Sequence, residues 1–185
     1  MKEIYLFRHG QTDWNLSHRM QGHRDIPLNQ TGIEQAHELS NKIVRALEQL
    51  DDYIVYSSDL LRALKTCQLV LPDSKIHIDK RLREINIGEM EGMSRKELNF
   101  NFQNPDPEYR FKGGESIREH RERIFSFVEE VTKSTKERNI FLSTHGGTMA
   151  RFLEQCENYK FKKIVNCELV KVKYEDSIFK FIDYL

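Results

Sequence analysis

The chain has 185 residues, 38% hydrophobic and 31% charged, and its 29 basic and 29 acidic side chains bring the formal net charge to zero. That balance argues against a broad nucleic-acid or membrane surface, and no stretch nears the roughly 20 apolar residues of a membrane helix. Cys67, Cys156 and Cys167 lack CxxC spacing and read as thiols of a reducing cytoplasm, not as a disulfide frame or zinc site.

The length fits one domain, residues 1–185, with a sizeable core. Ile4-Tyr5-Leu6-Phe7 is a compact apolar run that reads as a buried strand and is too short for a signal peptide. Thr31-x-x-Glu34 makes a capping box, and Ile33, Ala36, Leu39, Ile43, Leu47 and Leu50 then recur at helical spacing for about five turns. Tyr53-Ile54-Val55-Tyr56 is a second strand ending in Ser57-Ser58, and Asp59 is placed to cap a helix that runs to about Leu71 before Pro72. Ile76-His77-Ile78 suggests a third strand.

Residues 80–115 are rich in Gly and Pro and read as irregular, with a short helix after the capping box Ser94-x-x-Glu97. Ser116-x-x-Glu119 opens a longer helix with Ile117, Ile124, Val128 and Val131 on one face. Ile140-Phe141-Leu142 is a strand that runs into Ser143-Thr144-His145-Gly146-Gly147, followed by a helix from about Thr148 to Gln155. Leu169–Tyr174 and Ile178–Tyr184 alternate at period two around Glu175-Asp176-Ser177, the pattern of a hairpin. This order predicts an α/β fold: a mostly parallel central sheet flanked by helices on both faces, with an antiparallel C-terminal edge hairpin.

In such sheets ligands sit beyond the carboxyl ends of the strands. Three strand ends carry reactive or cationic residues: Arg8-His9-Gly10, Ser57-Ser58-Asp59 leading to Arg62, and Thr144-His145-Gly146. Surface histidines are the ordinary reading in a chain with seven of them. Two at this face, each followed by a glycine that lets backbone approach a ligand, favour a site instead. His37-Glu38 lacks the second histidine of HExxH, and no GxGxxG or Walker pattern occurs. His18, His23, His37, His77 and His120 lack partners at ligand spacing and read as solvent or edge residues.

Arg8-His9-Gly10-x-Thr12-x-x-Asn15 resembles the signature of the histidine phosphatase superfamily, the phosphoglycerate mutase-like proteins. Gln21-Gly22-x-x-Asp25-x-Pro27-Leu28, Ser57-Ser58-Asp59-Leu60-x-Arg62-Ala63-x-x-Thr66, Leu82-x-Glu84-Ile85-x-x-Gly88-x-x-Glu91-Gly92, Gly114-Glu115-Ser116 and His145-Gly146-Gly147 are similar to its later blocks, in order. The resemblance implies His9 as a nucleophile that accepts a phosphoryl group. It must be neutral to attack, and Arg8 and Arg62 disfavour its imidazolium. Those two arginines would also fork onto phosphate oxygens. His145, Asn15 and the Gly146 amide would complete the cradle, with Gln21 and Gly22 binding substrate. Glu84 would protonate the leaving alkoxide and later activate water. The scheme implies no metal or organic cofactor.

The resemblance is to the phosphatase branch. Only 30 positions separate Glu84 from Gly114, and the stretch lacks the adjacent Arg pair of the mutase insertion. Alpha-ribazole phosphatase is of similar size and block order, which implies a small phosphorylated metabolite as partner, alpha-ribazole 5'-phosphate among the candidates. A homodimer is left open. The alternatives are a mutase-type phosphoryl transferase and an inactive phosphoester-binding protein. Related phosphatases carry aromatics near Ile87 and Met90, and this chain does not. Residues 93–114, with Phe100, Phe102, Tyr109 and Phe111, read as a lid or insertion whose rings either pack as core or line the pocket.

Overall fold

Alternation along two strands lays out the architecture. In β1 (Lys2–Arg8) and β4 (Asn139–Thr144), Ile4, Leu6, Ile140 and Leu142 enter one buried cluster, while Tyr5, Phe7 and Phe141 enter another. A strand apolar on both faces must be covered on both. The computed structural model describes residues 1–47, 50, 52–98, 100 and 105–185, and within them the two clusters are covered by different helices. α2 (Gln30–Leu47) and α3 (Leu61–Val70) supply Ala36, Leu39, Ile43, Cys67 and Val70 to one face. α4 (Ile117–Ser134) and α5 (Gly146–Leu153) supply Ile124, Phe127, Val128, Met149 and Phe152 to the other.

Among the described residues the sheet has six strands in the order β3-β2-β4-β1-β5-β6, where β2 is Tyr53–Ser57, β3 Ile76–Ile78, β5 Leu169–Glu175 and β6 Ile178–Tyr184. β1, β4, β2 and β3 pair in parallel, and β5 and β6 are antiparallel. This is the α/β sheet with a C-terminal hairpin expected from the sequence. β1 and β4 are neighbours in register, Arg8 opposite Thr144, so His9 and His145 leave the sheet side by side. A short helix α1 (Asp13–Leu16) follows β1 and is closed by a capping box between Thr12 and Asn15.

Several helix starts differ from expectation because other side chains win the free backbone N–H groups. Asn29, not Thr31, caps α2: its Oδ1 accepts from the Gly32 N–H at 2.9 Å. The helix is described to Leu47, and Leu50 beyond it is irregular. Asp59 does not cap α3, because Arg83 holds its carboxylate with two bonds of 2.6 and 2.5 Å. Asp25 takes that place, accepting from the Leu61 N–H at 2.8 Å. Ser94 and Glu97 do bond, the Ser94 N–H to the Glu97 carboxylate at 2.8 Å, but they enclose one turn and no helix. α5 starts at Gly146, two residues before Thr148.

Phe100, Tyr109 and Phe111 pack together, with ring centroids 4.8 to 5.3 Å apart, against Ile87 and Ile117. Phe102 lies outside the described residues.

Candidate active site

His9 is the first residue beyond β1, and its ring is buried. Nδ1 lies 2.7 Å from the Gly10 carbonyl oxygen. A carbonyl only accepts, so Nδ1 carries the proton and Nε2 keeps its lone pair. Burial first, then the Arg62 and Arg8 guanidiniums, hold the ring well below the usual imidazole range. His9 is therefore a neutral imidazole in a cationic setting, with the Nε2 lone pair that nucleophilic attack needs. Gly10 serves the backbone here: a Cβ on it would sit 2.3 Å from the Gly32 carbonyl oxygen. The close approach expected between Gly10 and a ligand is thus an approach between two stretches of chain.

Arg62 is wholly buried on the first turn of α3. It donates to the carbonyls of Arg24 at 2.9 Å and Gly22 at 2.8 Å. Burial pulls its pKa down to about 10, so it stays charged at neutral pH. Gly22, at φ +54°, turns that carbonyl toward Arg62. Arg8 donates to the Ile164 carbonyl at 2.9 Å, and burial lowers its pKa as well. His145 is fully buried, its ring 5.2 Å from that of His9, with Nε2 2.9 Å from the Ser58 hydroxyl. Burial, then Arg62, His9 and Arg8, hold it neutral too.

Three buried side-chain nitrogens at the His9 end of the cavity, Arg8 Nε, Arg62 Nε and His145 Nδ1, have no hydrogen-bond partner among the described residues. Orphaned polar atoms are costly and call for an explanation. Three of them around one neutral imidazole make a cradle for an anion. Gly146 opens α5, so its N–H has no partner within the helix. Asn15 Oδ1 accepts from the Thr12 N–H and hydroxyl and from Asn166 Nδ2, at 3.1 to 3.2 Å, which assigns the donor role to its amide nitrogen. Gln21 is buried, with Oε1 unpartnered.

Glu84 lies between two short 3-10 turns, Lys80–Leu82 and Gly88–Met90. Its Oε2 accepts from the Gly147 N–H at 2.9 Å, and its Oε1 accepts from the Ile85 N–H at 3.0 Å. A Cβ at Gly147 would lie 2.4 Å from Glu84 Oε1 and would push the carboxylate from this position. Arg123 ties the loop down by donating to the carbonyls of Arg81, Arg83 and Glu84 while paired with Glu115. His23 Nε2 donates to the Glu84 carbonyl at 2.9 Å.

Arg8, His9, Asn15, Gln21, Gly22, Arg62, Glu84 and Gly146 line one cavity of about 510 Å³, and His145 stands behind His9. All nine residues singled out in the sequence therefore meet in one place. The outer wall adds Trp14, Arg19, Phe100, Phe111, Lys163 and Asn166. Two histidines read as solvent or edge residues are corrected: His23 holds the Glu84 loop, and His120 is buried at 1% exposure beside Thr148.

A family model described as "Histidine phosphatase superfamily (branch 1)" matches residues 4–184. An Arabidopsis thaliana phosphoglycerate mutase-like protein 4 is 32% identical over 89% of this chain and 76% of its own length. A putative phosphoserine phosphatase 2 of Hydrogenobacter thermophilus is 33% identical over 80% of this chain and 75% of its own. Among solved structures, a mutant phosphoserine phosphatase of Entamoeba histolytica in complex with phosphoserine superposes with a TM-score of 0.82. It is 26% identical and covers 100% of this chain and 96% of that one. The chain belongs to the histidine phosphatase superfamily, and its class is that of a phosphatase enzyme.

Proposed function

We propose that the protein hydrolyses a small phosphorylated metabolite through a phosphohistidine on His9. The observation that carries this reading is the neutral His9 ring, with Nε2 free and three unpartnered buried donors around it. His9 Nε2 attacks phosphorus as the P–O bond to the leaving group breaks. Arg8, Arg62, His145, Asn15 and the Gly146 N–H hold the charge on the non-bridging oxygens. Glu84 gives its proton to the leaving oxygen. Its carboxylate then takes a proton from the water that attacks phosphohistidine, which releases phosphate and frees His9.

The outer wall favours an anionic substrate with an apolar portion, since cations and rings line it together. Phosphoserine, alpha-ribazole 5'-phosphate and 3-phosphoglycerate are the substrates to try first. The last separates the two activities, since a mutase returns 2-phosphoglycerate where a phosphatase releases phosphate. The same proposal includes a single domain over 1–185, a lid over 93–114 supported by Phe100 and Phe111 on the cavity wall, and a cytoplasmic location. The open question of a homodimer is one for sedimentation.

Rapid quenching with labelled substrate in EDTA tests the chemistry. The label should be acid-labile and base-stable, and His9→Ala should abolish both label and turnover while the circular dichroism stays native. Label on Ser57, Ser58 or Cys67, or activity that needs added magnesium, would overturn the reading.

A further inference from the structure

His120 has no part in the scheme above, yet it is buried and linked to the acid. It projects from the first turn of α4, and its Nε2 lies 3.0 Å from the Thr148 hydroxyl. That hydroxyl is 2.9 Å from the Arg83 carbonyl and 3.3 Å from Glu84 Oε1. The geometry fixes the direction of the chain. The hydroxyl has one proton, and both of its oxygen neighbours are acceptors once Glu84 is ionised, so Nε2 must donate to Oγ1. His120 cannot readily become a cation there. It is buried and faces Arg123 on its own helix, Arg151 on α5 and His23 from the loop, and all of these lower its pKa.

We propose that His120 is a positioning residue for the general acid, acting through Thr148. The inference rests on the proposed role of Glu84. As Glu84 passes its proton to the leaving oxygen, charge builds on Oε1. The Thr148 hydroxyl then turns from the Arg83 carbonyl onto Oε1. The His120 N–H stays on Oγ1 and makes the hydroxyl a stronger donor, because linked hydrogen bonds polarise one another. The pair thus stabilises the ionised carboxylate and holds it toward the cavity. Glu84 Oε2 is held by the Gly147 N–H and Oε1 by the Ile85 N–H, so His120 and Thr148 add a second donor on Oε1.

Single-turnover phosphorylation of His9, followed with an alkyl phosphate and a nitrophenyl phosphate, separates this role from plain packing. An alkoxide needs the acid's proton, whereas nitrophenolate needs little help. Thr148→Val and His120→Leu should each slow the alkyl reaction about tenfold with little change in half-saturation. The nitrophenyl reaction should stay within about twofold of wild type, the size of change expected where the acid is little used. His120→Gln, which can still offer an N–H near the Nε2 position, should recover most of the alkyl rate. Equal losses on both substrates, or no recovery with His120→Gln, overturn the inference. If wild-type protein forms no phosphohistidine, the proposed reaction fails first. If wild type does and the variants match it on both substrates, only the role of His120 fails.

Discussion

His145 can donate to an anion through Nδ1 only if its other nitrogen gives up the proton, and Ser58 decides this. Nε2 lies 2.9 Å from the Ser58 hydroxyl, which also accepts from the Leu60 N–H. When the hydroxyl donates to Nε2, the ring proton sits on Nδ1, the atom left unpartnered at the cradle. Ser58→Ala removes that control, and a ring with its proton on Nε2 would face phosphate with a lone pair. Losing one donor of an oxyanion-type site typically costs 10² to 10³ in rate. Because some rings keep the productive tautomer, Ser58→Ala should lower kcat about 10- to 100-fold, less than His145→Ala does. A ring-nitrogen NMR spectrum should show the proton shared between the two positions. An unchanged tautomer with full activity would show that Ser58 is only a packing partner.

At the scale of elements, the start of α2 shows how tertiary contact overrides local preference. Ala is favoured over Gly in a helix by about 1 kcal/mol, so Gly32→Ala should stabilise by local rules. A Cβ at Gly32 would instead sit 2.1 Å from the Gln11 carbonyl oxygen, and one at Gly10 would strike Gly32. Forcing atoms into a tight contact costs about 1–3 kcal/mol, so the clash outweighs the propensity. Urea unfolding should find Gly32→Ala less stable by up to about 2 kcal/mol, the difference of these effects, and a more stable variant would refute this. The strands and long helices were legible because their apolar periods agree with both buried faces. The Ser116–Glu119 capping box of α4 was legible too, but the caps of α2 and α3 were not: Asp59 is drawn away by Arg83, 24 positions along the chain, and no local pattern encodes that. His120 was misjudged despite a signal. It lies three residues after Ile117 and four before Ile124, in the same buried stripe of α4. That the nine candidate residues gather in one place was legible because ordered motifs name side chains directly. Their supports, Asn166 on the His9 carbonyl and Arg123 on the acid loop, were not, since each joins segments distant in sequence.

For the whole molecule, a net charge of zero conceals strong segregation. Around a shallow depression beside the acid loop, Arg81, Arg83, Arg110 and Arg123 are each matched by a carboxylate. Arg8 and Arg62 are instead held by main-chain carbonyls, so their charge is available to a substrate. Burial of that charge beside imidazoles has a consequence for folding. His9, His120 and His145 are all held well below the usual imidazole range, chiefly by burial. The unfolded chain takes up protons at these residues near pH 6.5, while the folded protein does not. Below that pH the unfolded state binds more protons, so stability falls as pH drops. It is fully present above about pH 6.5 and is lost progressively down to the depressed folded-state values. Each such histidine adds at most about 1.4 kcal/mol per pH unit to that slope. His120→Leu removes one proton uptake and should flatten the dependence of unfolding free energy on pH between about 6 and 5 by up to that amount. Its stability at pH 8 reports packing and hydrogen bonding alone, so the difference between the two pH values isolates the proton. Parallel slopes for wild type and His120→Leu would mean that the buried ring does take up its proton in the folded state.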